Sequence, residues 1–556
     1  MKKFLLALLI IIMTLSFAAC SDEDVTTEDI TTGPVTEKTV TVTYKTEAGG
    51  KIIGEATQSG TTKGSICTFT EVRAEALEGY IFAGWSDGKT SDTRTDILDK
   101  DSTFTAIFRK IHTVKFVSGG NGSFKGTTFQ EIIDGGTTAA VTARPDPGYR
   151  FVSWSDGSKD ATIQITPKED VTLTANFEIQ PLSLPIFHIN TENSEPILSK
   201  EIYVPSKFSV TNAEAEHLIT DATGKVKGRG NTSWKNDKKP YHIEFDTEVD
   251  LFGNGAAKGW NLISNHTDYS MVRNYLAYTA ASKMSKLGGM GQMQFVELYV
   301  NGSYDGVYLI CEQIEIHEKR VNLTETGELD TGYIVELDGR GEGDCFVVNN
   351  KYYAMKAPKK YSKEQKNYIG MYVYDCLNAI KGEDWEVITS LMDVESFAES
   401  YLIHEIHKCC DVGYASFYMV KDAGGKLAAG PVWDFDRSLG NVYNKAGSME
   451  PAALFASKEN EWFAALLKHP EFVELVKEKL KDYNATLTKT YEDCFTYVES
   501  HKDSFERNDE RWDIIGTDLY PNPSNLVRLN SWQLHLDHNK DFLNKSMSYL
   551  LKTYGD

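Results

Sequence analysis

Basic charge is what this chain is short of. Its 556 residues carry 58 Lys and Arg against 80 Asp and Glu, a formal net charge of −22. A protein that binds nucleic acid by displacing counterions needs the opposite balance, so that class is set aside. Cysteine is sparse and badly spaced: beyond Cys20 there are Cys67, Cys311, Cys345, Cys376, Cys409, Cys410 and Cys494. An odd set cannot pair completely within one chain, no spacing fits a zinc site, and a bridge between neighbours Cys409 and Cys410 would be strained. Most are therefore expected to be buried free thiols. Long apolar runs are missing after Phe17, so no later segment approaches the roughly 18 residues of a membrane span. Aromatics are plentiful, with 28 Tyr, 26 Phe and 9 Trp, and the length predicts about three to four structural units.

The start of the chain is a processing signal. Lys2 and Lys3 precede the apolar run Phe4 to Phe17, and Ala18-Ala19-Cys20 supplies a small-residue cleavage site. A Cys directly after such a site resembles a bacterial lipobox. The resemblance implies lipid on Cys20 and an anchor in the bacterial cell envelope, facing outside the cytoplasmic membrane at the cell surface or in the periplasm. Residues 21–38 are rich in Thr, Asp and Glu with almost no large apolar side chains, so they read as a flexible tether.

Two copies of one unit follow, assigned to residues 39–110 and 111–180. Gly79-Tyr-Ile-Phe-Ala-Gly-Trp85-Ser-Asp-Gly88 recurs as Gly148-Tyr-Arg-Phe-Val-Ser-Trp154-Ser-Asp-Gly157, and the two tryptophans are 69 positions apart. Alternating stretches such as Val40–Tyr44, split by Asp-Gly and Gly-Gly turns, predict small all-β modules. They resemble the divergent B-repeats of bacterial surface proteins. The tryptophans read as module cores rather than as binding platforms, and the repeats as a spacer.

From residue 184 to 556 the pattern mixes strands and helices. Lys227-Gly-Arg229-Gly230 is a glycine-punctuated loop in which Gly228 and Gly230 could let amides approach an anion and Arg229 adds a charge. In Lys238-Lys239-Pro-Tyr241-His-Ile243-Glu-Phe245, strand parity places Lys239 on the apolar face and Lys238 on the other. A lysine on an apolar face needs an anionic partner, and a phosphate would serve. Tyr269 to Met284 reads as an amphipathic helix, and Phe295–Val300 and Gly306–Cys311 as strands joined at Asn301-Gly302. Beyond Ala452 the pattern is helical, over Glu461–Lys468, Glu471–Tyr483, Ala485–Ser500 and Trp532–Tyr554. His535 and His538 read as surface residues.

The stretch His404–Asn441 places Asp411 at the end of a helix-like run and Asp434 after a short apolar segment. Asp434-Phe435-Asp436 on an extended chain would put two carboxylates on one side. An acid in a loop to accept a proton and an acid at a strand end to hold a divalent cation suit phosphoryl transfer.

Six ordered motifs carry a further resemblance. They are Gly-Arg-Gly-Asn-Thr-Ser-Trp234, Lys-Lys-Pro-Tyr241, Arg273-Asn-Tyr-Leu-Ala-Tyr, Phe295-Val-Glu-Leu-Tyr-Val-Asn-Gly, Gly306-Val-Tyr-Leu-Ile-Cys-Glu-Gln-Ile and Gly430-Pro-Val-Trp-Asp-Phe-Asp-Arg-Ser-Leu-Gly-Asn. Over about residues 184–500 the chain resembles the CotH family of atypical protein kinases. This implies an α+β, two-lobed kinase-like domain that binds ATP with Mg2+ (or Mn2+) and phosphorylates Ser or Thr of a secreted or envelope protein. It further implies Asp411 as general base, Asp434 as metal-holding acid, Asp436 as a second metal contact, and Arg229 and Lys239 near the phosphates. Two features depart from an ordinary kinase: Ser416 stands where a metal-binding Asn is expected, and the helix at 269–284 has no Glu to pair with a lysine. Glu297 is the expected substitute for that Glu, and Gln313, where the chain leaves its strand, is a further candidate for the nucleotide site. Cys409 replaces a frequent Asn. A competing reading is a surface adhesin whose kinase-like domain binds matrix or glycan without transfer.

Overall fold

The computed structural model describes residues 37–555 apart from 147, 180, 181, 288–292 and 444. Cys20, the signal and nearly all of the tether lie outside the described residues. The chain divides into two compact units: one runs to Ala143 and includes Val152–Asn176, and the other comprises Arg144–Phe151 and everything from Phe177.

The first unit is all-β. Its longest strand, Ser102–Ser118, pairs near its start with Lys38–Thr46, Val42 lying opposite Ser102, and near its end with Phe129–Ile133, Phe129 lying opposite Lys115. Ala106, Phe108, His112, Val114 and Phe116 are all buried. One face of an unbroken strand therefore serves both repeats, and the expected division at residue 110 falls inside it.

The Trp-Ser-Asp-Gly signature is a core residue followed by a turn. Trp85 and Trp154 are buried, and their indole N–H groups donate to the carbonyls of Ser91 and Asp160 at 3.0 and 3.1 Å. Ser86 and Ser155 accept from the amides of Thr105 and Thr174, each at 3.0 Å, tying the turn to the next strand. Gly88 and Gly157 sit at φ 87° and 91°, a conformation that costs a side-chain-bearing residue 1–2 kcal/mol as an order of magnitude. Trp154→Ala should destabilise the first unit by about 3–5 kcal/mol. Calorimetry of the whole chain should show an earlier transition for that unit and an unmoved one for the second. An unmoved first transition would return the tryptophan to the surface as a platform.

The second unit is α+β, with two large cores and a smaller cluster of Val321, Ile334, Ala357 and Tyr418 among the described residues. Seven strands close a barrel in the order Ile186–Thr191, Val204–Thr211, Ile219–Gly228, Tyr241–Asp250, Ala256–Ile263, Ser303–Glu312, Gln294–Val300. Closure comes from parallel pairing of the last with the first, Glu297 opposite Ile186. Phe187, Phe208, Ile243, Trp260, Leu298 and Tyr308 fill the barrel. Asn301 and Gly302, at φ 50° and 79°, turn the hairpin as Asn-Gly predicts.

A second sheet follows in the order Cys345–Val348, Lys351–Ala357, Tyr333–Leu337, Phe417–Lys421, Leu427–Ala429, Met392–Asp393. The helices Lys363–Ala379 and Val394–His407 pack against it, and Arg273–Ala281, Pro470–Ser500 and Trp532–Tyr554 pack on Val394–His407, around the larger core. The two helices expected over 471–500 are one helix of 31 residues. No Gly or Pro interrupts it after Pro470, and the buried stripe Phe472, Val476, Leu480, Leu487, Tyr491, Phe495, Val498 runs past Asn484 unbroken. His535 is fully buried rather than on the surface, its Nε2 donating to the Leu529 carbonyl at 3.2 Å, and His538 Nε2 donates to the Leu439 carbonyl at 3.0 Å.

Candidate active site

Between the barrel and the second sheet lies a cleft in two joined halves, of about 710 and 650 Å³. Arg229, Lys356, Tyr418 and Trp433 line both. Asp411, Asp434 and Asp436 all line the smaller half.

The helix Arg273–Ala281 builds the loop that carries two of these acids. Asn274 Oδ1 accepts from the Phe435 amide at 2.7 Å, and the Tyr278 hydroxyl accepts from the Asp434 amide at 2.8 Å. Arg273 Nε donates to the Ser438 carbonyl at 2.9 Å. Positions 273, 274 and 278 of Arg-Asn-Tyr-Leu-Ala-Tyr thus grip three points of one loop. Phe435 is the plug: it is buried and stacks on His404 with ring centroids 4.9 Å apart. Asp434 sits at φ 67°, so the chain is not extended there and face alternation does not explain the paired carboxylates. The left-handed residue and the buried Phe435 turn both acids toward the cleft, and Asp is among the few side chains that tolerate that conformation.

Asp411 follows the helix Val394–His407, which ends on left-handed Lys408 at φ 52°. Lys408 is buried and its ammonium reaches Glu405 at 2.7 Å. Cross-links then hold the Asp411 loop against the Asp434 loop. The amide of Leu439 donates to the His407 carbonyl at 2.8 Å, and Arg437 pairs with Asp411 at 3.4 Å. Cys409 Sγ donates to the Asp434 carbonyl at 3.5 Å, and the Ser416 hydroxyl donates to Asp434 Oδ2 at 3.4 Å. Cys409 and Ser416 are therefore both contacts to Asp434. The seven described cysteines are free and six of them are buried.

Gathering like charges has an electrostatic consequence. Although Asp434 reaches the solvent of the cleft, the protein packed around it starves it of hydration and its carboxyl is raised, with the charge of Asp411 adding to the effect. Arg229, Arg340 and the Ser416 hydrogen bond pull the other way. Asp436 is pushed up to about 8, by burial first and by Asp434 second, against the opposing charge of Arg437. Among the described residues no three His, Cys, Asp or Glu side chains form a ready metal cluster. The donor chemistry nevertheless fits magnesium, which takes one or two carboxylates and completes its shell with water and phosphate oxygens. Carboxylates that resist ionisation together are those a divalent cation relieves.

Several sequence expectations need correction. Lys238, not Lys239, is the buried lysine: it is 0% exposed and donates to the Val307 carbonyl and to Asn508 Oδ1 at 2.5 and 2.8 Å. The strand begins only at Tyr241, so parity cannot be carried back through Pro240. Lys239 instead donates to the Trp234 carbonyl at 2.9 Å and does not line the cleft. Glu297 is also outside the cleft, buried against Arg507 at 2.8 Å. In the glycine loop the amides of Gly228 and Arg229 are not turned to an anion, because they donate to the carbonyls of Ser199 and Pro240. A Cβ on Gly228 would lie 2.2 Å from the Trp234 ring, so this glycine makes room for that indole. The Arg229 side chain lines both halves, and Gln313 lines the larger. Missed at the sequence level were Glu336, Arg340 and Lys356. The available signal was Glu336 itself, an acid inside the apolar strand Tyr333–Leu337, which demands a partner.

His404 and His407 flank the Phe435 plug, and burial lowers each to about 3 from the usual 6.5. Between those values the unfolded chain binds protons that the native chain refuses. Stability is therefore fully present above pH 6.5 and falls as pH drops toward 3, by about 1.4 kcal/mol per pH unit for each group. His404→Phe should flatten the dependence of unfolding free energy on pH across this window by about one proton. Denaturant titrations at a series of pH values would check it, and an unchanged slope would mean that His404 is charged in the native state.

A family model described as CotH kinase protein matches residues 226–550, more than half of the chain. One described as Divergent InlB B-repeat domain matches residues 40–112 and again 112–181. No curated protein matches the chain. The kinase match starts near the end of the strand Ile219–Gly228, so two complete barrel strands precede it. The chain belongs to the CotH kinase protein family, its kinase domain preceded by two divergent InlB B-repeat domains.

Proposed function

We propose that the second unit binds ATP with Mg2+ or Mn2+ in the cleft and transfers the γ-phosphate to Ser or Thr of a secreted or envelope protein. The observation that carries this reading is the convergence of Asp411, Asp434 and Asp436 in one cleft half that Arg229 also lines. Asp411, oriented by Arg437, accepts the proton of the attacking hydroxyl. Asp434 and Asp436 hold the cation, which when bound neutralises phosphate charge. Arg229 offers its guanidinium to phosphate oxygens, and Gln313 faces the larger half, where the nucleoside end fits. Lipid on Cys20 would hold the protein at the cell envelope, with the two repeats as the spacer between membrane and kinase domain.

A thermal-shift titration should show stabilisation by ATP only when Mg2+ or Mn2+ is present, and Asp434→Ala should abolish it. Asp411→Asn should keep that shift while lowering autophosphorylation from labelled ATP by roughly 10²–10⁴-fold. A wild-type chain that shows no nucleotide-dependent shift would favour the non-catalytic surface protein instead. Transfer that survives Asp411→Asn would displace Asp411 as the base.

A further inference from the structure

Among the described residues, the cleft half that holds the three aspartates is lined by a single lysine, Lys356. The other lysines of the cleft line only the larger half and are turned to other partners. Lys200 donates to Asn231 at 3.3 Å, Lys258 to the Asp246 carbonyl at 2.9 Å, Lys227 lies 4.6 Å over the Tyr203 ring, and Lys359 pairs with Glu315 at 3.9 Å.

Lys356 comes from the strand Lys351–Ala357 and Glu336 from its neighbour Tyr333–Leu337. Glu336 lies opposite Ala354, and a register shift leaves Lys356 unpaired between Met355, opposite Val335, and Ala357, opposite Ile334. Nζ meets Glu336 Oε2 at 2.5 Å; Glu336 is 6% exposed, whereas Lys356 keeps 37% of its side chain open to the cleft. The second carboxylate oxygen of Glu336 accepts from the Ser416 amide at 3.1 Å. The Ser416 hydroxyl in turn donates to Asp434. A continuous path of contacts thus runs from an accessible ammonium to the acid proposed to hold the cation. A buried carboxylate with a partner on each oxygen fixes the ammonium it pairs with, because moving the lysine would leave that charge uncompensated.

We propose that Lys356 is the lysine that contacts the nucleotide's phosphates, and that Glu336 is its positioning residue. The assignment rests on the nucleotide reading above. It replaces Lys239 and Glu297, the pair expected from sequence, with one on the second sheet rather than on the barrel. It also gives Ser416 a role other than metal ligand: its amide holds Glu336 while its hydroxyl holds Asp434.

The wild-type full chain can be treated with an acyl-phosphate derivative of ATP, whose acyl group passes to a lysine beside the bound phosphates. The modified peptides are then mapped by mass spectrometry with and without excess Mg-ATP. Labelling should fall on Lys356 and be suppressed by ATP. In parallel, Lys356→Met should weaken ATP binding by roughly 10- to 100-fold while leaving adenosine binding unchanged, and Lys239→Met should alter neither. Glu336→Gln should lower kcat and raise the KM for ATP together, again sparing adenosine. ATP-protected labelling of a different lysine, or Lys356→Met with wild-type ATP affinity, overturns the assignment and leaves the kinase reading standing. Absence of ATP-protected labelling at every lysine, together with no ATP binding by the wild type, overturns the nucleotide reading itself and this assignment with it.

Discussion

The guanidinium of Arg273 and the carboxylate of Asp268 are both completely buried and paired with each other. Two ions removed from water at that depth depend on each other and on the hydrogen bonds around them. The carboxylate is satisfied locally: Asp268 accepts from the amides of Ser270 and Arg273 at 3.0 and 2.9 Å and from the Ser270 hydroxyl. Arg273 Nη2, by contrast, has no hydrogen-bond partner among the described residues. Arg273 spends its Nε on the Ser438 carbonyl. Ser270 then gathers the C-terminal helix, its carbonyl accepting from the Trp532 indole at 3.0 Å and its hydroxyl from Asn539 at 2.8 Å. One ion pair therefore anchors the start of the helix Arg273–Ala281, the loop after Asp434 and the last helix of the chain. Removing either partner would strand a buried charge, at a cost of about 3–5 kcal/mol. The position of Asp434 is fixed from that anchor outward.

Much of this architecture was legible in the sequence, and the reasons are physical. The two repeats announce themselves because Trp-Ser-Asp-Gly joins a core residue to a turn that admits few alternatives. The hairpin at Asn301-Gly302 is legible because two consecutive positive φ angles select that dipeptide. The mixture of strands and helices in the second unit follows from the change of hydrophobic period after the repeats, and the resemblance to the CotH family implies the α+β class. Lys238 and Lys239 were assigned the wrong way round because side-chain parity is a property of an extended chain, and the extended chain starts two residues later. Glu297 misled for a different reason. A buried acid on a strand is a sound sign of a partner, but the partner, Arg507, is more than two hundred residues away on the helix Lys502–Trp512. Only folding brings the two together. Barrel closure was invisible on the same grounds, since it depends on a parallel pairing of Ile186–Thr191 with Gln294–Val300 across a hundred residues.

Ser416, a departure from ordinary kinases, and Cys409, a departure from the family pattern, look different once their contacts are known. Position 416 carries a left-handed backbone at φ 60°, an unusual state for Ser. That conformation directs its amide to Glu336 and its hydroxyl to Asp434 at the same time, and a strained residue persists where its surroundings over-determine it. Cys409 is buried, its thiol is pushed well up by that burial, and it spends its weak donor on the Asp434 carbonyl. Neither residue is a vacant position; each props the same carboxylate-bearing loop from a different side.

The charge pattern of the cleft follows from that propping. Three acids converge from two loops, and Arg229, Arg340 and Arg437 stand near enough to act on them. The raised carboxyls of Asp434 and Asp436 mean that full ionisation of the group is resisted when no further positive charge is present. Under the proposed function, a cation bound with a polyphosphate would change this balance: its charge would replace the held proton, and the arginines would meet the charge of the phosphates. Asp436, pushed up to about 8 by burial and by the charge of Asp434, is an acid whose state would respond to loading. The loop geometry set by Arg273 and Phe435 is what keeps these like charges together while the site waits, because left free they would separate into solvent.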